Sequence, residues 1–203
     1  MPDTFFDPHQ RGTVAAAMAR IIPTDDTPGA TEAGCIDFLD RYLSGLGYIY
    51  AKPDGSGFEV LEGRSAEAWH RRIETMRQTY VEGLRDLDAR ARAGHGYDFV
   101  DLAADRQDDI LRAIAAAEGA AGPALQQTLT EVDLGFLPLL VMHTRQGFYA
   151  DPIYGGNQGQ VGWKTIGFPG PASLAEVHTG RYTTLQYFAP GEAEKVKEFH
   201  HGL

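Results

Sequence analysis

Apolar positions recur at helical spacing along most of the first 148 residues. Val14, Ala17, Met18, Ile21 and Ile22 fall on one side of a 3.6-residue period and predict a helix from about Gln10 to Ile22, ended by Pro23. Thr24 to Ala30 reads as a tight polar turn. Thr31 or Glu32 then opens a second amphipathic helix with Cys35, Ile36, Leu39, Tyr42 and Leu43 as its buried side and Gly45 and Gly47 as stop signals. Between Tyr48 and Gly63 the apolar spacing is irregular, and Pro53, Gly55 and Gly57 mark a loop or short hairpin.

The longest regular stripe follows. Trp69, Ile73, Met76, Tyr80, Leu84, Leu87 and Ala91 step by three or four and place one helix over about Ala66 to Arg92, broken at Gly94-His95-Gly96. Asp105, with Asp108 three residues on, has the pattern of an N-cap for a helix carrying Ile110, Leu111 and Ile114, closed by Gly119 to Pro123. A further helix runs through Leu129, Val132, Phe136, Leu139, Leu140 and His143 to about Gly147, kinked or divided by Pro138. From 151 to 171 the helical period is lost among prolines and six glycines, while Tyr154, Trp163, Ile166 and Phe168 supply apolar anchors that a floppy linker lacks. Pro190 to Leu203 reads as a short charged helix with Val196 and Phe199 inward. The fold class is therefore mostly α: a single-domain helical bundle with its core over about 10–148, a structured Gly/Pro-rich loop over 149–171 and a tail over 172–203.

Composition narrows the function classes. With 203 residues, 43% of them hydrophobic, the chain can bury a core without a disulfide or metal staple. The single Cys35 has no internal partner and reads as a small packed hydrophobe. A net charge of -10 repels phosphate backbones and anionic lipid, which argues against nucleic acid as a partner. The longest apolar run, Leu134 to Met142, is too short to span a bilayer and is interrupted by Pro138. Met1 to Asp7 has no basic segment, apolar core or cleavage site, so the expected location is the bacterial cytoplasm, or the periplasm if a leader was removed.

Catalytic constellations are sparse. Gly155 to Gly162 invites a phosphate-loop reading, but it lacks the Gly-x-Gly-x-x-Gly spacing and the flanking strand and helix. Glu67 with His70, and Glu198 with His201, have the Glu-x-x-His spacing of carboxylate-bridged metal bundles, yet the two further inward glutamates are missing and the residues read as solvated surface. No Gly-x-Ser-x-Gly elbow is present, and Cys35 sits on an apolar helix face. His143 reads as a hydrogen-bonded helix-end residue favoured by the negative end of the dipole. No catalytic, cofactor-binding or metal-binding residues are assigned.

Two stretches carry a family resemblance. Ile21-Ile22-Pro23-Thr24-Asp25, Pro28-Gly29-Ala30, Ala33-Gly34 and Ile36 to Asp40 resemble the opening of the gluconate 2-dehydrogenase subunit 3 family. Gly147 to Asn157, then Gly162-Trp163 and Ile166 to Gly170, resemble its C-terminal signature. The helices from Trp69 to Ile114 match more weakly. The resemblance implies a cofactor-free accessory subunit of a large FAD-dependent sugar or sugar-acid dehydrogenase of the glucose-methanol-choline (GMC) type. In that family the small chain assists folding, stability, flavin maturation or export of the catalytic chain, and a membrane cytochrome c subunit can complete the complex. Export there often uses a twin-arginine signal, whereas Arg71-Arg72 here lies inside a helix. The residues expected to fix the loop or meet a partner are Pro23, Pro28, Gly29, Tyr149, Pro152, Tyr154, Gly155, Gly156, Asn157, Gly162, Trp163, Phe168 and Pro169. Trp163 either plugs the loop onto its own helices or contacts the partner, and both can hold at once. Two rival readings are a stand-alone metal-dependent oxidase on the Glu-x-x-His pairs and a free-standing module whose loop captures a small ligand.

Overall fold

Asp7 starts the first helix, α1 (Pro8–Ile21), two residues before the expected Gln10. Its carboxylate accepts from the Gln10 amide at 2.8 Å, the Gln10 side chain accepts from the Asp7 amide at 3.2 Å, and Pro8 takes the first position, where no backbone donor is needed. The computed structural model describes residues 4–118, 130–168 and 170–179. After α1 come α2 (Cys35–Ser44), α3 (Gly63–His95), α4 (Ala104–Glu118), α5 (Phe136–Tyr149) and two short helices, α6 (Val161–Thr165) and α7 (Leu174–His178). The protein is mostly helical as expected. Among the described residues the nearest thing to a hairpin is one antiparallel bridge between Ala51 and Phe58.

Several boundaries differ from the sequence expectation, each for a local reason. Thr31 and Glu32 do not open α2, because Gly34 stands at φ 64, in the left-handed region, and the helix begins only after it. Glu32 instead ties down the preceding loop, its carboxylate accepting from the Thr24 hydroxyl at 2.7 Å and the Gly29 amide at 2.9 Å. Asp105 is not the cap of α4; it lies inside the first turn, where its negative charge complements the helix dipole. Helix α3 is longer than its apolar stripe and, at 33 residues, spans about 50 Å at 1.5 Å per residue.

Pro138 neither kinks nor divides a long helix through Leu129 and Val132. Val132 lies in a separate 3-10 turn, Glu131–Asp133, and α5 starts at Phe136, so that Pro138 occupies the first turn, where a missing amide leaves no hydrogen bond unmade. Leu129 and the tail helix expected from Pro190 lie outside the described residues.

Helix α5 is the hub and packs on α1, α2, α3 and α4. Its inner face, Phe136, Leu139, Leu140 and Phe148, meets Val14 and Met18 of α1, Leu39 and Leu43 of α2, and Ile73, Met76 and Tyr80 of α3 in one core. Each such side chain contributes about 1.5–3 kcal/mol through burial. Gly147 gives α2 its close approach, since a Cβ there would crowd the Cα of Cys35. Cys35 packs as a small hydrophobe, and burial pushes its thiol up to about 12.

Candidate functional site

The Gly-rich segment after α5 folds back on that helix as a clasp. Asp151 caps a 3-10 turn, Pro152–Tyr154, by accepting from the Ile153 amide at 3.0 Å, and Gly155 at φ 99 ends the turn. Gly156 then lies directly on α5: a methyl group at its Cα would overlap the Gly147 carbonyl oxygen. That contact lets the Asn157 amide donate to the same oxygen at 2.7 Å. Asn157 is fully buried at φ 47, a conformation its side chain tolerates better than most. Its amide group donates to the Ala150 carbonyl at 2.9 Å and accepts from the Gly162 amide at 2.9 Å. One side chain thus holds both ends of the loop.

The clasp also grips the start of α2. The Gln158 amide donates to the Ala33 carbonyl at 3.0 Å, and its side chain donates to Asp37 at 2.7 Å. Asp37 is paired in turn with Arg11 of α1, whose guanidinium also reaches the buried Asp40 at 2.8 Å. The two stretches that resemble the family signature, remote in sequence, therefore meet in space.

The aromatic anchors divide between roles. Trp163 of α6 is 7% exposed, donates from its indole to the Tyr149 carbonyl at 2.8 Å and meets Phe168 edge-on at 5.3 Å, so within this chain it plugs its own loop. Tyr154 is half-buried and accepts from the Ala51 amide at 3.3 Å. Tyr149 stays 42% exposed. Gly162 is buried against the Phe148 carbonyl. Pro23 and Pro28 stand exposed in the α1–α2 connection, where Gly29 passes so close to the Ile22 carbonyl that a side chain has no room. Pro169 lies outside the described residues.

A half-buried polar cluster beside the clasp has no signature in the sequence. Glu131 accepts from the Tyr42 hydroxyl at 2.9 Å, from two Arg72 nitrogens at 3.0 and 2.8 Å, and from the Gln146 amide at 3.3 Å. Burial alone would raise this carboxyl, but the hydrogen bonds from Tyr42, Arg72 and Gln146 help to outweigh it and hold it below the usual range. Arg72 lies 4.8 Å above the Trp69 ring. The groups come from α2, α3, a 3-10 turn and α5, so the network braces four elements. Only the fold brings them together.

His143 is not a helix-end residue stabilised as a cation. It sits in the middle of α5, fully buried, with Nδ1 2.8 Å from the Tyr80 hydroxyl and Nε2 without a partner among the described residues. Burial first of all lowers its pKa, to about 4 from the ordinary 6.5, and burial raises that of Tyr80, so the phenol donates to a neutral imidazole. The unfolded chain takes up a proton on this residue between pH 6.5 and about 4 that the native state refuses, so stability falls on acidification through that window, by about 3 kcal/mol in all. Urea midpoints measured from pH 8 to pH 4 are expected to flatten in His143→Gln; parallel acid limbs would refute the assignment. His9 acts in the opposite sense. Its hydrogen bond to Asp88 raises its pKa, so its contribution is complete below 6.5 and is lost as pH rises through the shifted value.

Glu67 and His70 are both exposed on α3, and among the described residues no group of three His, Cys, Asp or Glu side chains could hold a metal. Glu198 and His201 lie outside the described residues. No described helix is long and apolar enough to cross a membrane.

Two hollows open beside α5. A cleft of about 390 Å³ is lined by Leu134, Pro138, Val141, Met142, Arg145 and Tyr149. A second, of about 420 Å³, lies against Tyr42, Tyr48, Ile49 and Tyr154, and Gln146 and Tyr149 belong to both.

No curated protein and no solved structure matches the chain. The profile of the family described as gluconate 2-dehydrogenase subunit 3 matches residues 8–170, which takes in both halves of the clasp and all five long helices. The chain belongs to the gluconate 2-dehydrogenase subunit 3 family.

Proposed function

We propose that this chain is a non-catalytic accessory subunit of an FAD-dependent sugar or sugar-acid dehydrogenase of the GMC type, with flavin and reacting groups held by a large partner chain. Family membership over residues 8–170 supports the reading most directly. The use to which the signature residues are put supports it as well. Asn157, Gly156 and Trp163 spend their hydrogen bonds and close contacts on the chain itself, which suits a part whose task is to hold a shape. Across the Glu131 cluster and the neighbouring His143–Tyr80 pair, the carboxylate is matched by a guanidinium, the imidazole is neutral and the phenols are protonated, a balance that suits groups which brace helices.

The role follows from surface and stiffness. A rigid small subunit lends a folding flavoprotein a preformed face, and whatever binds the native form but not the unfolded one stabilises it by mass action. Flavin loading of the large chain, its stability and, where the complex is exported, its passage are the steps this would serve. Expressing the large chain with and without this one tests the reading. The large chain alone is expected to be poorly soluble and flavin-poor, and co-expression to restore flavin absorbance and dehydrogenase activity. A large chain that is soluble, flavin-loaded and fully active by itself would overturn the proposal, as would substrate turnover by the isolated small chain.

A further inference from the structure

Helix α5 is apolar on more than the face it buries. Leu134, just ahead of the helix, and Pro138, Val141 and Met142 on it are half-buried at the margin of the core, and with the exposed Tyr149 they line the 390 Å³ cleft. Val132, just ahead of the helix, is 37% exposed, and Tyr149 at the far end is 42% exposed. The Tyr149 backbone is held by the Trp163 indole, and its ring packs edge-on against Phe148 at 5.0 Å. An aromatic side chain held this firmly loses little freedom when a partner covers it.

The charge in the cleft selects the occupant. Arg145 is exposed at its edge and makes no ion pair or hydrogen bond among the described residues, whereas Arg11, Arg20 and Arg72 are each matched by a carboxylate. On a chain of net charge -10, an unneutralised guanidinium beside apolar side chains is a place where a carboxylate is attracted rather than repelled. A second copy of this chain suits the cleft poorly. A two-fold contact would bring two bodies of charge -10 together.

We propose that the α5 cleft is the docking site for the large flavin-dependent chain, which inserts an apolar side chain between Pro138 and Tyr149 and places an adjacent carboxylate on Arg145. This rests on the accessory-subunit reading above and assigns that subunit its binding face.

The test uses tagged full-length chain co-expressed with the large chain, with capture of the large chain as the readout. Met142→Glu and Arg145→Glu are each expected to weaken capture tenfold or more. Arg85→Glu, the same charge change at an exposed position of α3, is expected to leave it within twofold. The melting temperature of each isolated variant checks folding, and the exposed position of Arg145 makes its variant informative even if Met142→Glu is unstable. Capture undiminished in both cleft variants, with wild type binding, overturns the docking site alone. No capture by wild type overturns the accessory reading itself.

Maleimide labelling of Met142→Cys identifies what covers the cleft. Cys35 is buried and gives little background. The new thiol is expected to react readily in the isolated chain at every concentration and at least tenfold more slowly in the complex. Slow reaction in the isolated chain, whether constant or increasing with concentration, would mean that the chain itself or a second copy occupies the cleft, and would overturn the proposal.

Discussion

A valine at position 156 is expected to undo the clasp and to cost the fold about 4 kcal/mol. Even the first carbon of a side chain there would overlap the Gly147 carbonyl, and a backbone group within a packed helix has little room to retreat. Relief requires the loop to lift off α5. That breaks the Asn157 hydrogen bond to the same carbonyl and leaves the fully buried Asn157 side chain without partners, which turns one steric conflict into several unmade hydrogen bonds. For a chain of this size, about 4 kcal/mol lowers the melting temperature by roughly 10 °C. Gly156→Ala should already show most of the loss. Gly47→Ala, at a position with open space around it, should show none. Wild-type melting in Gly156→Val would mean that the clasp does not hold the loop as described.

Removing the Trp163 side chain has a comparable size and a different reach. Truncating a buried indole to alanine costs about 3–5 kcal/mol, and here it also frees the Tyr149 carbonyl and removes the ring that Phe168 packs on. Trp163 lies outside the main hydrophobic core, so the loss should stay in the loop. In Trp163→Ala, amide hydrogen exchange over 150–168 is expected to speed up strongly while α1, α2 and α3 keep their protection. Uniform protection would contradict the role as a plug. Tyr149 lines the proposed docking cleft, so the same variant should also weaken capture of the large chain.

The two substitutions act on features that were visible to different degrees beforehand. Trp163 and the Tyr-Gly-Gly-Asn run stood out because glycines and aromatics at such density signal fixed backbone angles and anchors, and Gly155 does have a positive φ. Gly156 was equally visible, but its reason was not: its φ is ordinary, and what excludes a side chain is a carbonyl nine residues earlier. Gln158, which joins the clasp to Ala33 and Asp37, carries no sequence signal, since a glutamine in a polar loop has no periodic signature. The Glu131 cluster escaped for the same reason. Its members belong to four separate elements, and each alone reads as an ordinary surface polar residue.

His143 shows how a correct local observation can lead to the wrong chemistry. Its place late in an apolar run suggests a helix end, and a helix C-terminus favours a charged imidazole. Yet the helix extends to Tyr149 and the residue faces Tyr80 in the core, where desolvation outweighs any dipole and keeps the ring neutral.

Taken alone, the amino-acid order determined what short-range physics controls: where apolar residues recur every three or four positions, which proline stops α1, and where glycine and aromatic density stiffens the chain after α5. Those properties depend on neighbours within one or two turns. Tertiary structure decided which remote groups meet, such as Gln158 with Ala33 and Arg72 with Glu131, and which residues of α5 line a cleft. Periodicity tells a helix face that it must be buried but not against what, so contacts between distant segments emerge only when all the faces are packed at once.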